Sequence, residues 1–347
     1  MSNEYGINVL ISSCGRRVGL LGCFRESIAT RGSNAAVLAI DAGSTAPASF
    51  LADRSWVVPR CTEPQFVDAV LELATRERVA LIVPTIDPEL PVYAATSRRF
   101  REAGVTVSIS SPAVVQISAD KVKTHEWLVA HGFPTVRQTE PRLALLHASD
   151  WSLPLIAKPR CGSASRGVRR IENWLELHAL VDSAEDYIVQ EVAGGREFTV
   201  NVYVSRSGEC VCAVPHWRVE VRAGEVSKGI TVKDRGLMEL ARAVAEALPG
   251  AYGPLNIQCF VDRDGSTVIT EINARFGGGY PLAHHAGARF TNWLLDELEG
   301  KSPPYFDGWM DDLAMLRYDE AVYVPGSRIR AWSGESAWPS TLTTRSI

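Results

Sequence analysis

The chain has 347 residues, 46% of them hydrophobic and 22% charged, with a formal charge of −4. A chain of this length and mix buries sizeable cores in two or three domains, and its balance of charge gives no global basic surface for nucleic acid or anionic membranes. The opening MSNEYGINVLISSCG lacks a basic segment followed by a long apolar stretch, and no apolar run reaches the length of a membrane span, so neither a signal peptide nor a membrane partner is expected.

The first third alternates strand and helix. INVLISS is expected as a strand, VGLLGCFRESIATRG as an amphipathic helix ending on Gly32, AAVLAID as a second strand and SWVVP as a short third. The helix EPQFVDAVLELATRER, the strand ALIVPT, a helix through PVYAATSRRFREAG and the strand VTVSIS complete a βαβ series of the open parallel type. ISADKVKTHEWLVAHG reads as a helix capped by Ser118 and stopped at Gly132. LPLIAKP then starts a new unit, with the small-residue loop RCGSASRG, the strand VRRI and the helix NWLELHALVDSA. The strands DYIVQEV, REFTVNVYVSRSG and ECVCAVPHWRVEVRAG, the helix GLMELARAVAEAL, the hairpin NIQCFVDRDGSTVITEIN and a helix through FTNWLLDELEG follow. Beyond about residue 325 the chain is polar and without a period, and is expected as a loosely attached tail.

Seven cysteines stand at 14, 23, 61, 161, 210, 212 and 259. Their odd number, without a secretion signal, reads as reduced thiols in the cytoplasm. Cys210 and Cys212 would share a strand face, but no second Cys or His pair completes a four-ligand zinc set.

The hairpin carries the sharpest chemical signal. NIQCFVD and TVITEIN flank RDGS, and Asp-Gly signals a two-residue type I′ turn. With Asp264 and Gly265 as the loop, facing positions sum to 529, so Gln258 lies opposite Glu271 and Asn256 opposite Asn273. Facing residues, and residues two apart, share one face of a sheet. Gln258, Glu271 and Asn273 therefore converge on one patch, and three oxygen donors without a neighbouring lysine suit Mg²⁺ held together with substrate phosphates. Arg275 extends that face with a positive charge for the phosphates, and Gly277 to Gly279 permit a tight turn and close backbone approach. The competing reading is a hairpin whose polar residues merely face water.

Two further stretches bear on the choice. In IAKPRCGSASRGV a strand delivers Lys158 ahead of a loop of small residues, which lets backbone N–H groups approach phosphate oxygens; it is not a Walker A motif. In YIVQEVAGGREFTVNVYV the backbone at Glu191 and Val192 is placed to pair with an adenine edge, and Glu197 to accept from ribose hydroxyls. Taken singly, each stretch is equally a flexible loop or a solvated turn.

The order of these motifs resembles the ATP-grasp superfamily, in its carbamoyl-phosphate-synthase-like and carboxylate–amine ligase branch. NVLISSCGRRVGLL, the DK…T helix, KP…GS.S.GV, QE….EFTV and EIN.RFGGG occur in that order over roughly residues 7 to 300. The resemblance implies an α/β protein: an N-terminal open parallel βα (pre-ATP-grasp) domain over 1–112, then a two-lobed α+β ATP-grasp fold. Its N-lobe with the phosphate-lid loop would span 113–185 and its C-lobe with the Mg-ATP and substrate site 186–325, leaving a tail at 326–347. It implies ATP and Mg²⁺ as cofactors, with Mn²⁺ as a substitute. Lys121 and Lys158 would contact the phosphates, and the loop with Gly162, Ser163, Ser165 and Gly167 would close over them. Glu191 and Val192 would meet the adenine, Glu197 the ribose, and Gln258, Glu271 and Asn273 the metal. Arg275 would steady the transferred phosphoryl group, with Arg218 and Lys228 the candidates for substrate contact among Arg218, Arg222, Lys228, Lys233, His284 and His285.

The activity implied is ligation of a small carboxylate, an amino acid in the first instance, to an amine through an acylphosphate, releasing ADP and phosphate. The alternatives are activation of carbonate or carbamate, and a non-catalytic nucleotide-binding protein. The partners implied are small molecules, with a homodimer as one arrangement. In the first domain SSCGRRVG lacks the GxGxxG of a dinucleotide site, which leaves a packed turn or a small-anion site near Gly15 to Arg17. In TIDPEL, Asp87 and Glu89 would either face the cleft and contact an amine or begin the next helix.

Overall fold

Short apolar runs alternating with amphipathic helices fold here as a parallel sheet covered on both faces. In the computed structural model, which describes residues 7–162 and 165–333, the run comprises β1 (Asn8–Ile11), α1 (Val18–Thr30), β2 (Val37–Asp41), α2 (Pro47–Leu51), β3 (Arg54–Val57), α3 (Phe66–Arg76), β4 (Val79–Val83), α4 (Leu90–Glu102) and β5 (Thr106–Val107). The strands pair in parallel in the order β3-β2-β1-β4-β5. The order reverses between β1 and β4, so their carboxyl ends open a crevice of the kind that receives ligands in open α/β sheets.

Next come α5 (Pro112–Ala119) and α6 (Lys121–Ala130). Where one helix capped by Ser118 was expected, the chain breaks at Asp120, whose carboxylate accepts from the Val122 amide at 2.9 Å and caps α6. Ser118 instead donates back to the Val115 carbonyl. Gly132 stops the helix in the left-handed region at φ +72°. A four-stranded antiparallel sheet follows, built from β6 (Gln138–Thr139), α7 (Pro141–Leu146), β7 (Leu155–Pro159), β8 (Arg169–Ile171), α8 (Trp174–Val181) and β9 (Tyr187–Glu191), in the order β6-β9-β7-β8.

The largest sheet contains β10 (Arg196–Val204), β11 (Cys210–Arg222), β12 (Glu225–Thr231), then α9 (Arg235–Ala247), β13 (Gly253–Val261) and β14 (Thr267–Asn273). After α10 (Tyr280–His285) and α11 (Phe290–Leu298), β15 (Ala314–Leu316) joins its edge, giving the order β14-β13-β10-β11-β12-β15. Within the expected loose tail the chain forms α12 (Gly326–Ser333); residues 334–347 lie outside those described.

Period-two alternation splits this sheet into two unlike faces. One face carries Phe198, Val200, Val202, Leu255, Ile257, Cys259 and Ile272, packed with Leu237, Ala241 and Val244 of α9 in a buried core. The register puts polar residues on the other: Asn201, Asn256 and Asn273 lie side by side, as do His216, Thr199, Gln258 and Glu271.

The β13–β14 hairpin reaches the expected pairing by an unexpected route. Its loop is Arg263–Asp264–Gly265, with Gly265 at φ +86° and the Asp262 amide donating to Ser266 O at 2.9 Å, a three-residue loop in place of a two-residue I′ turn. That change alone would shift every partner by one. A bulge between Gln258 and Cys259, which leaves Thr270 unpaired, restores Gln258 opposite Glu271 and Asn256 opposite Asn273.

Between β9 and β10 the chain reverses at Gly195, where φ is +84° and an added Cβ would stand 2.0 Å from the Val261 carbonyl oxygen. Gly195→Ala must therefore distort β10 against β13. A loss of about 3 kcal/mol or more is expected in urea denaturation, whereas Gly208→Ala, also in the left-handed region but with nothing within 4 Å of an added Cβ, should cost less.

Candidate active site

The polar face of the large sheet, the four-stranded sheet and the carboxyl ends of β1 and β4 enclose a cleft of about 730 Å³. Of the residues singled out in the sequence, Lys121, Lys158, Gly162, Ser165, Glu191, Val192, Glu197, Arg218, Gln258, Glu271, Asn273 and Arg275 line it. Ser163 lies outside the described residues.

Lys158 is carried inward by β7, and burial lowers its pKa against the opposing pull of Glu271. Lys121, at the start of α6, donates from Nζ to the Gly162 carbonyl at 3.0 Å, tying the helix to the loop. Glu191 ends β9, where its amide donates to the Arg137 carbonyl at 3.1 Å. Glu197 sits 3.4 Å from Arg218 Nε; burial raises its pKa despite Arg218 and Lys158.

Beside them Gln258, Glu271 and Asn273 share the polar face and line the cleft, and side-chain oxygens are the donor type that suits Mg²⁺. Asn256 donates from Nδ2 to the Arg275 carbonyl and leaves its buried Oδ1 without a partner. His216 is fully buried. Asn201 Nδ2 donates to its Nδ1 at 3.2 Å, which places the ring proton on Nε2, a buried atom with no hydrogen-bond partner.

Three of the expectations change. Lys228 lies outside the cleft: opposite Glu220 across the β11–β12 pair, it is half exposed and bonds that carboxylate at 2.7 Å. Gly167 lies at the base of the loop, where φ is +71° and an added Cβ would stand 2.7 Å from Pro159. Arg275 does not offer a free fork: its Nε and Nη2 donate to the two oxygens of Asp87, both at 2.7 Å. Of the two alternatives for TIDPEL, Asp87–Glu89 form the turn that begins α4; Asp87 lines the cleft but is spent on Arg275, while Glu89 is fully buried and accepts from Ser12, Ser13 and the Thr85 and Ile86 amides.

The three glycines make the turn and the close approach expected of them: the Tyr280 amide donates to the Gly277 carbonyl at 3.1 Å, and the groups that approach are side chains. None has a left-handed φ; added Cβ atoms at Gly277, Gly278 and Gly279 would stand 2.5 Å from Asn256, 2.6 Å from Glu225 and 2.7 Å from Val226. The run makes room for side chains of the sheet. Among the remaining polar candidates, Arg222 pairs with Glu220, the Lys233 ammonium lies over Trp309, and His284 is buried against Glu26.

Asn256, expected opposite Asn273, and Arg17, of the candidate anion turn, also line the cleft, and Thr199, His216 and Glu225 do so without having been singled out. Thr199 and His216 follow from strand alternation once one member of the face is known. Arg17 and Glu225 pair at 2.7 Å between the first domain and β12, a contact no local pattern announces.

Residues 9–108 match the family described as PylC-like, N-terminal domain, and residues 118–279 the ATP-grasp domain. The chain is 24% identical over 274 residues to a phosphoribosylamine–glycine ligase of Xanthomonas axonopodis pv. citri, covering 70% of this chain and 62% of that protein. Against the same enzyme of Escherichia coli O6:H1 it is 23% identical, covering 72% and 65%. The chain thus spans a little under two thirds of those relatives. Among solved structures, the biotin carboxylase domain of Hydrogenobacter thermophilus 2-oxoglutarate carboxylase, in complex with MgADP, ADP and bicarbonate, superposes with a TM-score of 0.70 at 17% identity, covering 89% of this chain and 73% of that one. N5-carboxyaminoimidazole ribonucleotide synthetase of Thermotoga maritima does so at 0.62 and 16%, covering 86% and 77%. At these identities the likeness is one of fold.

Burial drives the His216 pKa down to about 3 from an ordinary 6.5, with Arg218 adding to the effect. The unfolded chain binds this proton between those values and the folded chain does not, so stability rises with pH across that window and falls as pH drops below about 6.5. Denaturation of the wild type against His216→Gln at pH 7, 5.5 and 4.5 should show a gap that closes by up to about 1.4 kcal/mol per pH unit. A gap independent of pH would mean that the ring is already charged or solvated.

Proposed function

From a chain that carries an ATP-grasp domain behind a PylC-like N-terminal domain, we propose an ATP-dependent ligase that joins a small carboxylate to an amine through an acylphosphate. The observation that carries this reading is the convergence of Lys121, Lys158, Gln258, Glu271 and Asn273 on one cleft from separate stretches of the chain. Phosphoryl transfer asks for positioning and charge neutralisation rather than a protein nucleophile, and these groups supply both.

Lys121 and Lys158 hold the ATP phosphates. Gly162 and Ser165 of the loop after β7 approach them, the Val192 amide donates to the adenine edge, and Glu197 accepts from the ribose. Gln258, Glu271 and Asn273 hold Mg²⁺, which when bound neutralises charge on the phosphates. A substrate carboxylate oxygen attacks the γ-phosphorus as its bond to the β–γ bridging oxygen breaks and ADP leaves. The amine then attacks the acyl carbon, the bond to the phosphate oxygen breaks, and the nitrogen loses a proton as phosphate departs. Arg218, largely buried on the same face and within 3.4 Å of Glu197, anchors the substrate carboxylate. The relatives named ligases and the MgADP-bound neighbour agree with this direction.

With Mg²⁺, ATP and pooled amino acids and amines, release of ADP and phosphate that depends on the pool is expected. Glu271→Ala should lower that rate by at least two orders of magnitude, on the scale of losing a transition-state contact. Release of AMP and pyrophosphate would contradict the acylphosphate route, and an absolute requirement for bicarbonate would favour carbonate activation.

A further inference from the structure

Resting on the ligase reading, we infer that Asp87, a residue of the first domain, is the positioning residue for Arg275: by gripping its guanidinium across the domain boundary it sets the charge at the end of the metal-ligand strand, so the second domain is catalytically complete only with the first docked on it.

Both ends of the grip are fixed. On one side, the turn bearing Asp87 is locked to the end of β1 by the buried carboxylate of Glu89, which accepts from the Thr85 amide at 2.6 Å, the Ile86 amide at 3.1 Å, and the Ser12 and Ser13 hydroxyls at 2.6 and 2.7 Å. On the other side, Asn256 holds the Arg275 carbonyl and Arg275 Nη1 donates to the Phe276 carbonyl at 3.1 Å. Arg275 Nη2 also reaches Asn273 Oδ1 at 3.4 Å, so the guanidinium touches a metal-ligand candidate directly.

A planar fork bound by both carboxylate oxygens has its plane fixed as well as its charge partner. The pair is mostly buried, at 11% and 23% side-chain exposure, where such contacts are felt more strongly than at a surface. Arg17, beside Arg275, is held off by its own pairing with Glu225, so positive and negative charges alternate around the junction. A bond made only to hold two domains together would not need to end on the arginine that follows the metal-ligand strand.

Steady-state turnover of ATP should be compared among the wild type, Asp87→Asn, Asp87→Glu and Arg31→Gln. Arg31 pairs with Asp296 and Glu299 across the same domain boundary but away from the cleft, and serves as the control for weakened docking. Asp87→Asn should lower kcat at least 30-fold with the KM for ATP within twofold, Asp87→Glu should recover part of the loss, and Arg31→Gln should shift the melting temperature without that split. A slowly exchanging Arg275 Nε–H resonance is expected from the bond to Asp87; assigned by its loss in Arg275→Lys, it should also disappear in Asp87→Asn. Wild-type kcat in Asp87→Asn, a fall matched by Arg31→Gln, or survival of the resonance would each overturn the inference. Absence of wild-type turnover would instead defeat the ligase reading, and the resonance would still decide whether Asp87 positions Arg275.

Discussion

Strand alternation in the six-stranded sheet is the constraint from which the rest of the structure follows. A sheet with one apolar face folds because that face meets α9, but its other face here carries Asn201, Asn256, Asn273, Thr199, Gln258, Glu271, His216, Glu197 and Arg218. Such a face cannot be covered by an ordinary core, since each buried polar atom left unpaired costs about 1–3 kcal/mol. His216 Nε2 and Asn256 Oδ1 are buried without a hydrogen-bond partner. A cleft with a polar floor is the arrangement that spares the others. It also preorganises donors and acceptors before any ligand arrives, which is the form of stabilisation that phosphoryl transfer uses most.

The first domain packs on the rest of the chain through a shared apolar core, in which Leu21 and Phe24 of α1 meet Phe276, Tyr280 and Phe290, and at the cleft it adds two ion pairs. Asp87 meets Arg275 and Arg17 meets Glu225, so each domain presents one sign of each pair. Glu225 is gripped a second time by Arg317, which follows β15, so the C-terminal segment also fastens to the rim. Burial works against the ionised Glu225, but Arg17 and then Arg317 outweigh it and hold its pKa low. The glycine run sits among these groups and owes its composition to them: a side chain at Gly278 would occupy the place of the Glu225 carboxylate.

Much of this was legible in the sequence because it rests on local periodicity. The βα order of the first domain, the inward delivery of Lys158 and the convergence of Gln258, Glu271 and Asn273 all follow from alternation and turn residues. The hairpin shows how such a reading can be right for incomplete reasons, since a longer loop and a bulge at Thr270 cancel to leave the expected partners in register. What local pattern does not carry is which distant charge a side chain will meet. Lys228 had the right type and neighbourhood, yet Glu220 directly opposite captures it at the sheet's outer side. Arg275 was placed correctly, but its partner lies 188 residues away. Asp120 took the cap from Ser118 because the break between α5 and α6 falls two residues later than composition suggested.

The most direct test of the account is a crystal structure with Mg²⁺ and a non-hydrolysable ATP analogue. The account predicts polyphosphate between Lys121 and Lys158, with the metal about 2.0–2.1 Å from oxygens of Glu271 and Asn273 and the adenine beside Val192. Nucleotide bound at the carboxyl ends of β1 and β4 alone, with the polar face of the large sheet left to water, would contradict it.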